Sequence, residues 1–262
     1  MPFLCNLSRN IPIFVSNFLE RDRHVHRNFK EETITDIITA SFLGHPTIHV
    51  DLPDEPTTGG DMEWIFISYG RKKSSMIRLI IQSKRSFYHK LKVKPSYWAY
   101  DQLDHGKGSQ VNTLISYCSS CVATLPIYMF YNPTSACMKA TAKARSVDGI
   151  NWTFGKLVHS VASSGCGIDL KKVTYWQNKS YPLSTWFCPS PPLSSPIIDP
   201  FLPPTPGDIA LTINNIIRDN KLDIGELSPT ENVPAEFLRK LDGQQTRQDR
   251  ESITRPRVIF QS

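Results

Sequence analysis

Asp61-Met62-Glu63-Trp64-Ile65-Phe66-Ile67-Ser68 and, after a short polar stretch, Met76-Ile77-Arg78-Leu79-Ile80-Ile81-Gln82-Ser83-Lys84-Arg85 are the two segments on which the fold of this chain turns. In the first, Met62, Trp64 and Phe66 alternate with Glu63, Ile65 and Ile67, the two-residue period of a strand. The second opens as a short apolar run, the strongest strand signal in the chain, and flows directly into Gln82-Ser83-Lys84-Arg85. Tyr69 to Ser75 is polar and reads as a hairpin loop, so the two strands pair antiparallel and the start of one comes beside the end of the other. Asp61 then becomes a neighbour of Gln82 and Lys84.

Upstream, Ile34, Ile37, Ile38 and Phe42 recur at helical spacing until Gly44, His45 and Pro46 stop them, and Glu32 and Asp36 share one face of that helix. Thr47 to Leu52 reads as a strand and Pro53 to Gly60 as a turn. Downstream, Gln110 to Val122 has helical periodicity through Val111, Leu114, Ile115 and Cys118, and Pro126 to Tyr131 reads as a buried strand. Strand, helix, strand implies a right-handed crossover. The fold class is therefore α/β: helix, three strands, helix, strand, a mixed sheet flanked by helices.

The boundaries follow composition. Residues 1–19 form a lead-in and residues 20–187 the α/β domain, with its motif-bearing core in 20–132; residues 188–207 form a proline-rich linker, since Pro189 to Pro206 holds eight prolines. Residues 208–262 make a C-terminal helical extension, with helices at Ile209 to Arg218 and Val233 to Leu241 and a polar, mobile end from Gly243 onward.

The net charge is +6, yet ten Lys or Arg against two acids fall between Arg71 and Lys107, so the positive field is local. Such a field draws a phosphate backbone, and it also suits an ordinary solvated face. The six cysteines are too few and too scattered to staple a chain of 262 residues, which fits a reducing, cytoplasmic setting. No run approaches the roughly 18–20 apolar residues of a membrane span. Cys118-x-x-Cys121 lacks the second pair of a zinc site, no histidine pair has metalloprotease spacing, and no glycine-rich phosphate loop is present.

Phosphodiester hydrolysis needs a divalent cation on hard oxygen ligands, a water, and a positive group beside them. Asp61 supplies a carboxylate; Glu63, two residues on, faces the same side, and Glu32 offers a third acid from the first helix. Lys84 points the same way as Gln82. Taken singly, Asp61 is a turn cap after Gly59-Gly60, Lys84-Arg85 a solvated strand end, and Glu32 with Asp36 an exposed helix face. Taken jointly, an acid and a lysine meeting across an apolar hairpin favour a site.

These residues resemble the PD-(D/E)XK, or restriction-endonuclease-like, superfamily and within it the Mrr-type branch, through Gly59-Gly60-Asp61-Met62-Glu63-Trp64 and Ile80-Ile81-Gln82-Ser83-Lys84-Arg85. The likeness covers roughly residues 20–132, about two fifths of the chain. It implies a restriction-endonuclease-like core in which Asp61 binds Mg2+ or Mn2+, Gln82 stands where the usual form has an acid, Lys84 is the motif lysine and Glu32 the first-helix glutamate. With Gln82 neutral the site has one negative ligand fewer, unless Glu63 or Glu32 compensates.

The resemblance implies a magnesium-dependent DNA endonuclease, by analogy one of defence against foreign DNA, gripping the backbone through Arg71, Lys72, Lys73, Arg85, Tyr88, Lys90, Lys92 and Lys94, with Tyr97 and Trp98 beside them. A homodimer, and a protein partner docking on the proline-rich linker and C-terminal helices, are further partners to test. The alternatives are the same fold holding nucleic acid without cutting it, and a plain interaction module.

Overall fold

A computed structural model describes residues 3–25, 29–51, 60–70, 73–91, 95–103, 108–141, 147–163, 165, 167–188, 202–244, 246 and 256–262. Helices α1 (Phe3–Val25) and α2 (Glu31–Ala40) precede strands β1 (Ile48–Asp51), β2 (Met62–Ser68) and β3 (Ser75–Arg85). A two-stranded ribbon, β4 (Phe87–His89) with β5 (Tyr97–Ala99), leads to α3 (Ser109–Ser119) and β6 (Thr124–Tyr131). Then come α4 (Thr134–Thr141), β7 (Ile150–Phe154), α5 (Gly155–Ser163), α6 (Ile168–Lys171), α7 (Val173–Trp176), β8 (Tyr181–Pro182), α8 (Ser184–Phe187), α9 (Pro206–Asp219), α10 (Ala235–Leu241) and β9 (Arg257–Gln261).

The order helix, three strands, helix, strand is present as α2, β1, β2, β3, α3, β6, with the β4–β5 ribbon inserted before α3. The seven-stranded sheet runs β1-β9-β2-β3-β6-β7-β8 and is mixed. β2 and β3 are antiparallel with Met62 opposite Ile81, and β3 and β6 are parallel with Gln82 opposite Tyr128. Period-two alternation divides the hairpin between two faces. Trp64, Phe66, Leu79 and Ile81 pack under α1, α2, α8 and α9 with Val15, Ile38, Phe187 and Ile213. On the other face Ile80, Tyr128 and Phe130 pack under α3, α5 and α7, while Ile65, Ile67 and Ile259 meet Phe237 of α10.

The end of the chain departs from expectation. Val258, Ile259 and Phe260, read as part of a polar mobile tail, form β9, which inserts between β1 and β2, antiparallel to one and parallel to the other. Three consecutive buried apolar residues fill both faces of the sheet there, which is what a central strand requires. Helix α9 is likewise part of the core rather than an extension, because Ile209, Ile213 and Ile217 line one stripe and are buried. A capping box between Thr205 and Asp208 starts it. Of the expected linker, residues 189–201 lie outside the described set, while Pro206 and Gly207 open α9.

The described part of the expected lead-in, residues 3–19, does not stop at 19: it belongs to α1, which continues to Val25 with Pro12 inside it. One cysteine pair also differs, for Cys5 of α1 and Cys188, just after α8, are joined by a disulfide spanning 183 positions. Cys118, Cys121 and Cys137 stand as thiols. Among the described residues no helix is long and apolar enough to cross a membrane.

Candidate active site

The hairpin brings its acid and its lysine to one end of the sheet. Asp61 lies just before β2 and is registered onto β3 by its own N–H, which donates to Ile81 O at 2.9 Å. Beyond that point β2 has not begun, so the Ser83 N–H has no ladder partner from it, and the Asp61 carboxylate takes that place. Ser83 N and Gln82 Nε2 both donate to Asp61 Oδ2 at 2.6 Å. Burial pushes the Asp61 carboxyl up to about 6, against the Ser83 bond and the Lys84 charge, which lower it; the charge of Glu31 pushes it up further.

Gln82 and Lys84 sit on the face that carries Ile80, and both are buried. Lys84 Nζ donates to Gln110 Oε1 at 2.9 Å. Gln110 is in the first turn of α3, which the chain enters through Gly108 at φ 86°, a left-handed conformation that suits glycine. The Gln82 amide is oriented by its neighbour: a carboxylate oxygen requires the nitrogen, so Oε1 must face elsewhere. Oε1 is buried with no hydrogen-bond partner, and Asp61 Oδ1 also has none among the described residues.

Helix α2 contributes Glu31 rather than Glu32. Glu31 Oε1 accepts from Arg85 N at 3.2 Å, and its charge reaches Asp61. Glu32 is exposed beside Asp36, whose carboxyl is raised by burial and by the Glu32 charge. The difference is one residue of helix phase. That phase is held by a buried hydroxyl cluster in which Ser83 Oγ lies 2.9 Å and Thr35 Oγ1 3.2 Å from Tyr131 OH.

Glu63 is not a free ligand of this site. It is 1% exposed, and its two oxygens accept from Arg78 Nε at 2.7 Å and Arg257 Nε at 2.9 Å, with Phe237 flanking both guanidinium groups. Two cations neutralise it, and its role is to clamp β9 and β3 across β2.

The expected nucleic-acid contacts divide. Arg85 is buried, donating to Asp22 Oδ2 at 2.9 Å and to Phe29 O, so it ties α1 to the end of β3 instead of facing a ligand. Lys73 pairs with Glu231 at the hairpin tip, a strand length of roughly 20 Å from Asp61 by ordinary strand rise. Tyr88 and Lys90 are exposed on the β4–β5 ribbon that leaves the end of β3, and the Tyr88 ring packs on Trp98 at 5.2 Å under the Arg23 guanidinium. Arg71, Lys72, Lys92 and Lys94 lie outside the described residues.

Sequence reasoning missed Glu31 and Gln110. Gln110 had a signal, as the polar residue that opens a periodic helix; Glu31 had only its adjacency to Glu32. Among the described residues no three His, Cys, Asp or Glu side chains converge as a metal group. What lies around Asp61 is one carboxylate oxygen and one amide oxygen without partners among the described residues, with the charges of Lys84 and Glu31 both acting on its carboxyl. Hard oxygens of this kind suit a small divalent cation. A groove of about 300 Å³ lies at the opposite end of β6, lined by Thr124, Lys156 and Glu226 among others, and is separate from these groups.

A family described as one of unknown function, DUF6615, matches residues 4–262. No curated protein and no solved structure matches the chain.

Proposed function

Since the chain belongs to the DUF6615 family, whose function is unknown, we propose its function from the site: a metal-dependent nuclease that hydrolyses DNA phosphodiester bonds. The observation that carries this reading is the convergence of Asp61, Gln82 and Lys84 at one end of the β2–β3 hairpin, with Asp61 Oδ2 bonded to the Gln82 amide and the Ser83 N–H. The order of elements around it supports a restriction-endonuclease-like core of the Mrr type with Gln82-x-Lys84.

Asp61 Oδ1 and Gln82 Oε1 would hold Mg2+ or Mn2+, with Glu31 in place of Glu32 as the neighbouring acid. Bound there, the ion would neutralise charge on the scissile phosphate and acidify a water. Lys84, oriented by Gln110 and acting by its charge on Asp61, would stabilise negative charge as it builds on the phosphate, or hold the attacking water. Tyr88 and Lys90 would meet the DNA backbone beside it. Defence against foreign DNA in the cytoplasm belongs to this reading by family analogy alone. The Cys5–Cys188 bond weighs against a reducing setting, and a thiol count in cell extract decides that point.

Plasmid DNA incubated with purified protein and Mg2+ or Mn2+ should be nicked or linearised, and Asp61→Ala and Lys84→Ala should each abolish cutting with the fold intact. The second reading is a nuclease fold that binds nucleic acid, or a protein, without cutting. The observation that favours it is the single carboxylate directly bonded into the site. DNA retained at low salt by a wild type that never cuts would select that reading over the first.

A further inference from the structure

Two residues paired across the sheet, one of them bonded to Asp61, each carry a buried polar atom without a partner among the described residues. Gln82 and Tyr128 are opposite one another in the parallel β3–β6 ladder, and both side chains point to the face that carries Ile80 and Phe130. Gln82 Oε1 is an acceptor without a donor, and the Tyr128 hydroxyl is a donor without an acceptor; both residues are buried, at 2% and 0% exposure. Eight buried side-chain atoms lack partners among the described residues, but only these two belong to residues paired across a ladder, and they are complementary. Desolvating a hydroxyl without compensation is unfavourable, and phenylalanine would fill the same volume without that cost. Burial raises the Tyr128 phenol, and the nearby charge of Asp61 raises it further.

We propose that Tyr128 is a positioning residue of the site: one water bridges its hydroxyl and Gln82 Oε1, and the phenol thereby holds the Gln82 amide with its nitrogen on Asp61. A water that accepts from the phenol and donates to the amide oxygen satisfies both atoms. Without this anchor, the amide is restrained on its nitrogen side alone, by Asp61 Oδ2 at 2.6 Å and Ser83 O at 3.4 Å. The inference rests on the nuclease reading for its purpose but not for its geometry. Outer partners of this kind orient the groups that touch an ion, and their loss weakens ion binding although they never touch it.

The test is Tyr128→Phe, which removes only the hydroxyl, keeps the ring in its packed cluster and should fold with a melting temperature close to that of wild type. In cation-free, 15N-labelled protein, hydrogen exchange of the Gln82 side-chain amide should quicken by roughly tenfold relative to wild type. Mn2+ affinity, read by electron paramagnetic resonance, should fall by about tenfold. A Gln82 amide that exchanges freely in wild type, or at the same rate in both proteins, overturns the proposal. A wild type that takes up no Mn2+ counts against the nuclease reading alone, because the exchange measurement needs no metal.

Discussion

Gln82 Nε2 lies 2.6 Å from Asp61 Oδ2, and that contact organises the end of the sheet. It joins residues 21 positions apart, and it leaves one oxygen on each without a partner among the described residues. Burial disfavours the charge of this carboxylate, so on the proposed reading it serves an ion rather than the fold, and the two roles are separable by experiment.

Asp61→Asn retains an oxygen that can accept from Ser83 N and Gln82 Nε2 but carries no charge. Cutting should be lost, while stability in cation-free buffer at pH 7.5 should hold or rise by on the order of 2 kcal/mol, because a charge that burial disfavours is gone. Paired thermal melts and plasmid assays check this.

The pH dependence follows from the same group. The folded Asp61 carboxyl stands at about 6, above its ordinary 3.8. Its contribution to stability is therefore fully present below about pH 4 and is lost as pH rises through about 6. Ion binding runs the other way, since it needs the ionised form. Cutting and Mg2+-dependent stabilisation should both increase between pH 5 and pH 7, and melting curves with and without Mg2+ across that range measure the effect.

The three acids near the hairpin should respond differently. Glu63→Ala takes from the half-buried Arg78 and the buried Arg257 the carboxylate between them and should cost about 3–5 kcal/mol, seen as a large drop in denaturant midpoint. Glu32→Ala, on an exposed face, should stay within about 0.5 kcal/mol and cut normally. Glu31→Gln should fold but cut more slowly.

Reducing the Cys5–Cys188 bond, or replacing Cys188 by Ser, frees the N-terminal end of α1 from α8 and restores the entropy of a 183-residue loop to the unfolded chain. Stability should fall by about 2–5 kcal/mol in urea titrations with and without dithiothreitol.

Much of this fold is legible in the residues because short elements carried strong signals. Met76 to Ile81, Pro126 to Tyr131 and Ile209 to Arg218 are apolar or periodic enough to be read directly, and the antiparallel hairpin then brings Asp61 to Gln82. What was not legible depends on distant partners. Nothing near Glu63 reveals that Arg257, 194 positions away, will neutralise it. Val258-Ile259-Phe260 is too short a run among polar residues to be distinguished from a tail, yet it fills a gap between β1 and β2 that only the assembled sheet creates. Glu31 and Glu32 differ by about 100° around a helix, and the Thr35–Tyr131–Ser83 hydroxyl cluster that sets the phase joins three separate elements.

The most direct measurement is a crystal of the protein soaked in Mn2+, with anomalous diffraction recorded at the end of the β2–β3 hairpin. The account predicts a peak within about 2.3 Å of oxygens from both Asp61 and Gln82, absent from Asp61→Asn crystals. Manganese elsewhere only, or no ordered ion at saturating concentration, would contradict it.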